Sequence, residues 1–121
     1  MVRALNKTTV LKGKSGKEYV FNLWSFYDIN DIKSSFTGGG LYLFTRRYWD
    51  GEKYMHSYIY LGETGDYYTR FENHHKEQCI RLHQANCIGF YPMPGATDEH
   101  RKAAEEDLLA VYNFPCNTAD N

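Results

Sequence analysis

Long apolar runs are missing from this chain of 121 residues, and no stretch approaches the length needed to span a bilayer. The opening residues Met1-Val2-Arg3-Ala4-Leu5 lack the apolar segment of a signal peptide, so the expectation is a soluble, cytoplasmic protein. No internal repeat or low-complexity segment is present, and the length suits one domain with a single core. Cysteine is sparse: Cys79, Cys87 and Cys116 are an odd number at no repeated spacing. A disulfide framework is therefore not expected, in keeping with a reducing compartment. An excess of basic charge is missing too. The net charge of −1 argues against tight nonspecific binding to nucleic acid, so any basic surface must be local.

Aromatic residues are abundant, with eleven tyrosines, and they mark out strands. Thr8–Leu11 and Glu18–Trp24 flank a turn that contains Gly13 and Gly16, which predicts a leading β-hairpin. A polar stretch follows, with at most a short helix near Asn30–Ser35, and Gly38-Gly39-Gly40 acts as a joint. Because that glycine run precedes a strand, it is no phosphate-cradling loop. Gly40 to Arg46 and Tyr54 to Leu61 are two strands joined by a hairpin turn at Asp50-Gly51. Period-two alternation puts Leu41 and Leu43 on one face and Tyr42 and Phe44 on the other. Adjacent antiparallel strands thus present Tyr42 and Tyr60 as neighbours. A third strand is predicted around Ala85–Tyr91.

Two helices are predicted. Gly62 and Gly65 form a tight turn into the first, which runs from about Tyr67 to about Leu82, with Thr64 or Asp66 as its cap. At 3.6 residues per turn, Tyr68, Phe71, Cys79 and Leu82 form its core stripe and His75 projects into it. Arg70 and His74 share another face with Tyr67, Gln78 and Arg81. The second helix, Glu99 to about Tyr112, is capped by Thr97 or Asp98. Glu105 shares the apolar face of Leu108, Leu109 and Tyr112, whereas Glu106 turns to solvent. A carboxylate on the buried side is costly unless it is paired, ligated or lines a cleft.

Tyr42, Tyr60, Arg70, His74 and Glu105 are the chemistry-bearing set. Phosphodiester hydrolysis requires a proton acceptor for water, a cation for the phosphorane charge and often a carboxylate-held metal. Tyr or His serves the first need, Arg70 the second and Glu105 the third. Arg70 and Glu105 can equally form a structural ion pair. His75, Cys79 and His83 recur every four residues, but with no CxxC pair a zinc site is the weaker reading, and Cys79 is better read as a small core residue. Arg46, Arg47, Tyr48, Trp49 and Lys53 mix basic and aromatic side chains around the hairpin turn. That combination suits backbone contacts and base stacking, or simply an exposed hairpin end.

The order of these motifs resembles the GIY-YIG nuclease domain. Gly40-Leu41-Tyr42 matches the first signature and Tyr60-Leu61-Gly62 the second. Arg70 follows at the family's spacing, with His74, Glu105 and the terminal Asn113-Phe114-Pro115-Cys116-Asn117 in order. The resemblance covers residues 40–117. It implies an α/β (α+β) sandwich, with a central three-stranded antiparallel sheet flanked by helices. Residues 1–39 are then an N-terminal hairpin extension and connection, and residues 40–121 the catalytic domain, within one compact unit.

The resemblance also implies a DNA endonuclease using one divalent cation, Mg²⁺ or Mn²⁺. Tyr42 or Tyr60 would activate water, with Tyr42 the preferred base. Arg70 would hold the phosphate, His74 would assist proton transfer, Glu105 would ligate the metal and Asn117 would support the site. Arg46, Arg47, Lys53 and Arg81 are the expected DNA contacts, and the hairpin is a possible dock for a protein partner. Glu63 departs from the family pattern: it repels phosphate or adds a metal ligand. That departure motivates the alternative of a catalytically weak or inactive module that binds nucleic acid or protein.

Overall fold

The computed structural model describes residues 2–72 and 74–117. Its strands are β1 (Arg3–Lys12), β2 (Glu18–Ser25), β3 (Gly40–Trp49), β4 (Tyr54–Thr64) and β5 (Cys87–Pro92). Its helices are α1 (Tyr67–Arg70), α2 (Glu77–Leu82) and α3 (Asp98–Leu109), with a 3₁₀ turn at Ile29–Ile32. The class is mixed α+β, as the alternating patterns predict. The sheet is larger than expected. Five antiparallel strands lie in the order β1-β2-β5-β3-β4, not three. The cause is that β2 pairs directly with β5, from Asn22 opposite Phe90 to Ser25 opposite Cys87. The hairpin thus covers an edge of β5 that would otherwise expose unpaired backbone groups.

Alternation along β3 separates two cores. Tyr42 and Phe44 join Ile59, Tyr60, Tyr67, Phe71, Ile80 and the 3₁₀ residues Ile29 and Ile32 on one face. Leu41 and Leu43 join Leu11, Phe21, Leu61, Ala104 and Leu108 on the other, beneath α3. The sheet curls toward α3 until its edge strands meet, with Thr9 Oγ1 on β1 hydrogen-bonded to the Tyr58 hydroxyl on β4 at 2.7 Å. Asp107 pins α3 to the β1–β2 turn, accepting from the Ser15 N–H, the Ser15 hydroxyl and the Tyr19 hydroxyl. This hydrogen-bonding holds the Asp107 carboxyl below its ordinary pKa.

The single helix predicted over 67–82 is two short ones. α1 is capped by Asp66, which accepts from the Tyr68 N–H, and it ends at Arg70. The Lys76 N–H then bonds the His74 ring at Nδ1 (3.0 Å), where a continuous helix would use a backbone carbonyl four residues back. His and Asn are weak helix formers, so little opposes that break. The predicted stripe holds only in part: Phe71 is buried and Cys79 half-buried, but Tyr68 and Leu82 are exposed, and Tyr67 and Ile80 are buried instead. His75, expected to pack, is exposed, whereas His74 is buried and shares the Tyr42 hydroxyl with Arg70.

The cysteine expectation is also corrected. Cys79 on α2 and Cys116 in the C-terminal strap form a disulfide, and Cys87 is free and buried. An odd count concealed one pair, because the strap returns beside α2. Nor is Gly62 in a turn. It lies within β4, where any Cβ would collide with the ring and hydroxyl of Tyr42. Among the described residues no helix is long and apolar enough to cross a membrane.

Candidate active site

Five side chains singled out by the sequence meet at the end of the sheet where β3, β4, α1 and α3 come together. Tyr42 is its buried centre, with no exposed surface. Its hydroxyl lies 3.0 Å from Arg70 Nε, which donates, and 2.6 Å from His74 Nε2. His74 Nδ1 accepts from the Lys76 N–H, so in the neutral ring the proton sits on Nε2 and is donated to Tyr42. Burial, then the charge of Arg70, drops the His74 pKa from 6.5 to about 3, which keeps the ring neutral. Phe44 and Phe71 pack edge-on against the Tyr42 ring and fix its direction.

Tyr60 is the second phenol, its ring 6.0 Å from that of Tyr42 and 5.2 Å from that of His74. It keeps a sliver of accessible surface (6%), whereas Tyr42 keeps none. Burial raises the pKa of both, and that of Tyr42 very strongly. For Tyr60 the charge of Arg70 pulls the other way, while the charge of Glu105 adds to the rise. The Tyr42 oxygen is engaged by Arg70 and His74, so of the two phenols Tyr60 is the one that reaches solvent.

Glu105 occupies the buried-side position on α3 that its spacing predicted, within electrostatic reach of Arg70 and Tyr60. Burial, then the neighbouring charge of Glu63, raises its pKa from 4.5 to about 7, against the opposing pull of Arg70. Glu63 itself is not loose. Arg101 Nε donates to its carboxylate at 3.1 Å, and Arg101 also bonds Asp98 and the Ala96 carbonyl (2.7 Å). Arg101 is a nearly buried cation that the sequence reading passed over. The signal was available, since Arg101 precedes Glu105 by one helical step of four and so shares its face.

Asn117 acts through the backbone. Its amide donates to the Leu61 carbonyl and accepts from the Leu61 N–H, both at 2.8 Å, while the Cys116 N–H donates to the Ile59 carbonyl. Residues on either side of Tyr60 are thereby held from outside the sheet.

The expected nucleic-acid residues lie elsewhere. Arg46, Arg47 and Lys53 stand at the far end of the β3–β4 hairpin, with Arg46 over the Tyr48 ring and Arg47 over the Tyr54 ring at 3.7 Å. Arg47 helps line a groove of about 410 Å³ with Lys7, Trp49, Lys53 and Tyr54. By alternation it projects on the α3 face, opposite Tyr42. Arg81 is paired with Glu77 and Asp28 on α2, away from the cluster.

No family model, curated protein or solved structure matches the chain. The resemblance to GIY-YIG nucleases is therefore carried by the positions quoted from this chain.

Proposed function

We propose that the protein is a metal-dependent endonuclease that hydrolyses DNA phosphodiester bonds. One observation supports this above the others: a guanidinium, two phenols, a neutral imidazole and a desolvated carboxylate are gathered at one sheet end. Arg70 grips a non-bridging oxygen of the scissile phosphate and spreads its developing charge. Tyr60, not Tyr42, is the group assigned to take a proton from the attacking water, because it reaches solvent and lies within the field of the Arg70 charge. Tyr42 positions Tyr60 and Arg70, and His74 holds Tyr42 rather than shuttling protons.

Glu105, half-buried on α3, offers the hard carboxylate oxygen that Mg²⁺ or Mn²⁺ takes, while Glu63 is held by Arg101 and acts on Glu105 through its charge. The cation, when bound there, supplies electrostatic stabilisation of the leaving oxygen. The basic and aromatic groove at Arg47, Trp49, Lys53 and Tyr54 gives DNA a second contact region.

The test is cleavage of plasmid DNA in Mg²⁺ or Mn²⁺ by the native protein, Glu105→Ala and Arg70→Ala. Cleavage by the native protein alone is expected. No cleavage, or equal cleavage by all three, overturns the proposal. DNA binding without cleavage, unaffected by either substitution, would instead support a binding module built around the groove.

A further inference from the structure

We propose that the Cys79–Cys116 bond is a thiol-exchange site, attacked at Cys79 by a small acidic thiol, and that opening it releases the strap that braces β4. Three observations support the first part. The two cysteines are unequally accessible: Cys116 is fully buried, whereas Cys79 is half-buried and lines a surface cavity of about 650 Å³. That cavity is also lined by His75, Lys76 and His83, with Arg81 in its wall paired to Glu77 and Asp28 outside it, and no carboxylate lines it, which suits a thiol carrying carboxylates. Finally, His83 Nδ1 lies 3.7 Å from Cys79 Sγ and 3.6 Å from Cys116 Sγ. The same nitrogen is 3.0 Å from the Cys79 carbonyl, which can only accept, so Nδ1 carries a proton.

The chemistry balances. An external thiolate attacks Cys79 Sγ in line with the existing bond. A sulfur–sulfur bond forms to Cys79, the Cys79–Cys116 bond breaks, and its electron pair leaves on Cys116 Sγ. In its doubly protonated form the His83 ring holds Nδ1–H beside that leaving thiolate and donates this proton to it, leaving a neutral imidazole that solvent reprotonates. A second external thiol then displaces Cys79 from the mixed disulfide. In sum, two external thiols are oxidised to one disulfide and the cysteine pair gains two electrons and two protons.

The second part follows from where the bond is anchored. Cys116 and Asn117 hold Ile59 and Leu61 through three hydrogen bonds, and the disulfide is the strap's covalent tie to α2. Losing that tie loosens the brace on either side of Tyr60. Only this consequence for Tyr60 rests on the nuclease reading.

The experiment treats the oxidised full-length chain with glutathione, quenches by alkylation and maps the adducts, with amide hydrogen exchange measured in parallel. We expect the mixed disulfide at Cys79, formed about tenfold or more slowly in His83→Gln. On reduction, exchange is expected to speed up at the amides of Leu61 and Cys116. The Cys79→Ser/Cys116→Ser double variant should show the same faster exchange without reductant. An adduct at Cys116 or Cys87, no reaction, or an unchanged rate in His83→Gln overturns the exchange site. Unchanged amide protection on reduction overturns the brace. Neither measurement involves DNA cleavage, so a failed nuclease assay leaves both outcomes readable.

Discussion

The two tyrosines are chemically alike and structurally unequal, and the difference is testable one atom at a time. Tyr60→Phe removes the phenol that reaches solvent. We expect DNA cleavage to fall by about 10²–10⁴-fold with little change in thermal stability. Tyr42→Phe leaves the Arg70 and His74 donors without an acceptor in a buried setting, and stability should drop by about 1–3 kcal/mol in chemical denaturation. If the two variants show the same balance of lost rate and lost stability, the division of labour proposed here is wrong.

His74 and Glu105 make opposite demands on pH. The folded His74 pKa of about 3 lies below its ordinary 6.5, so its contribution is present above 6.5 and lost as pH falls toward 3. The folded Glu105 pKa of about 7 lies above its ordinary 4.5, so its contribution is present below 4.5 and lost as pH rises toward 7. Each acts at about 1.4 kcal/mol per pH unit at most. In metal-free protein the two slopes oppose each other between 4.5 and 6.5. Relative to the native protein, His74→Gln should tilt that window toward lower stability with rising pH, and Glu105→Gln the other way. Parallel curves for all three proteins in chelator would contradict both assignments.

At the scale of elements, α3 was legible and the α1–α2 segment was not. Thr97 as cap, Glu105 turned inward and Glu106 turned out all follow from local spacing and agree with the structure. The α1–α2 break does not, because its cause is a buried bond from His74 to a tyrosine on another strand. Periodicity reports which residues share a face only while the helix continues. The alternation of β3 placed Tyr42 correctly, but Arg101 was missed because an arginine on a helix is ordinarily a solvated one.

Arg101 explains how Glu63 and Glu105 coexist. Replacing it by Met removes the charge that offsets Glu63, so the Glu105 midpoint should rise above its native value. Carboxyl-carbon NMR titration reads this directly. A midpoint that stays put would mean that the Arg101–Glu63 pair does not set the field at Glu105.

Over the whole molecule, Asn117 does the work of an additional strand. β4 is the last strand in the order, and Leu61 turns both its backbone groups outward, as alternate residues of an antiparallel edge do. Asn117→Ala strips both partners from them, and we expect a loss of about 1–3 kcal/mol and faster amide exchange at Leu61. A variant as stable as the native chain would reduce the strap to a bystander. The terminal asparagine was visible in the motif order. Its action through backbone groups was not, since that depends on the strap lying along β4. The disulfide was hidden for the same reason: only the folded path brings Cys79 and Cys116 together.

The strand order has a kinetic side. β1 and β2 can zip locally, and so can β3 and β4, but the backbone pairing that links the two hairpins runs through β5, which is made later in the chain. A nascent chain holds two unfinished ribbons until β5 emerges to bridge them. Such non-local pairing places folding on the order of milliseconds to seconds rather than microseconds. Every member of the Tyr42 cluster lies on elements that β5 and its successors lock together, so the site is assembled in the last steps of folding and not before.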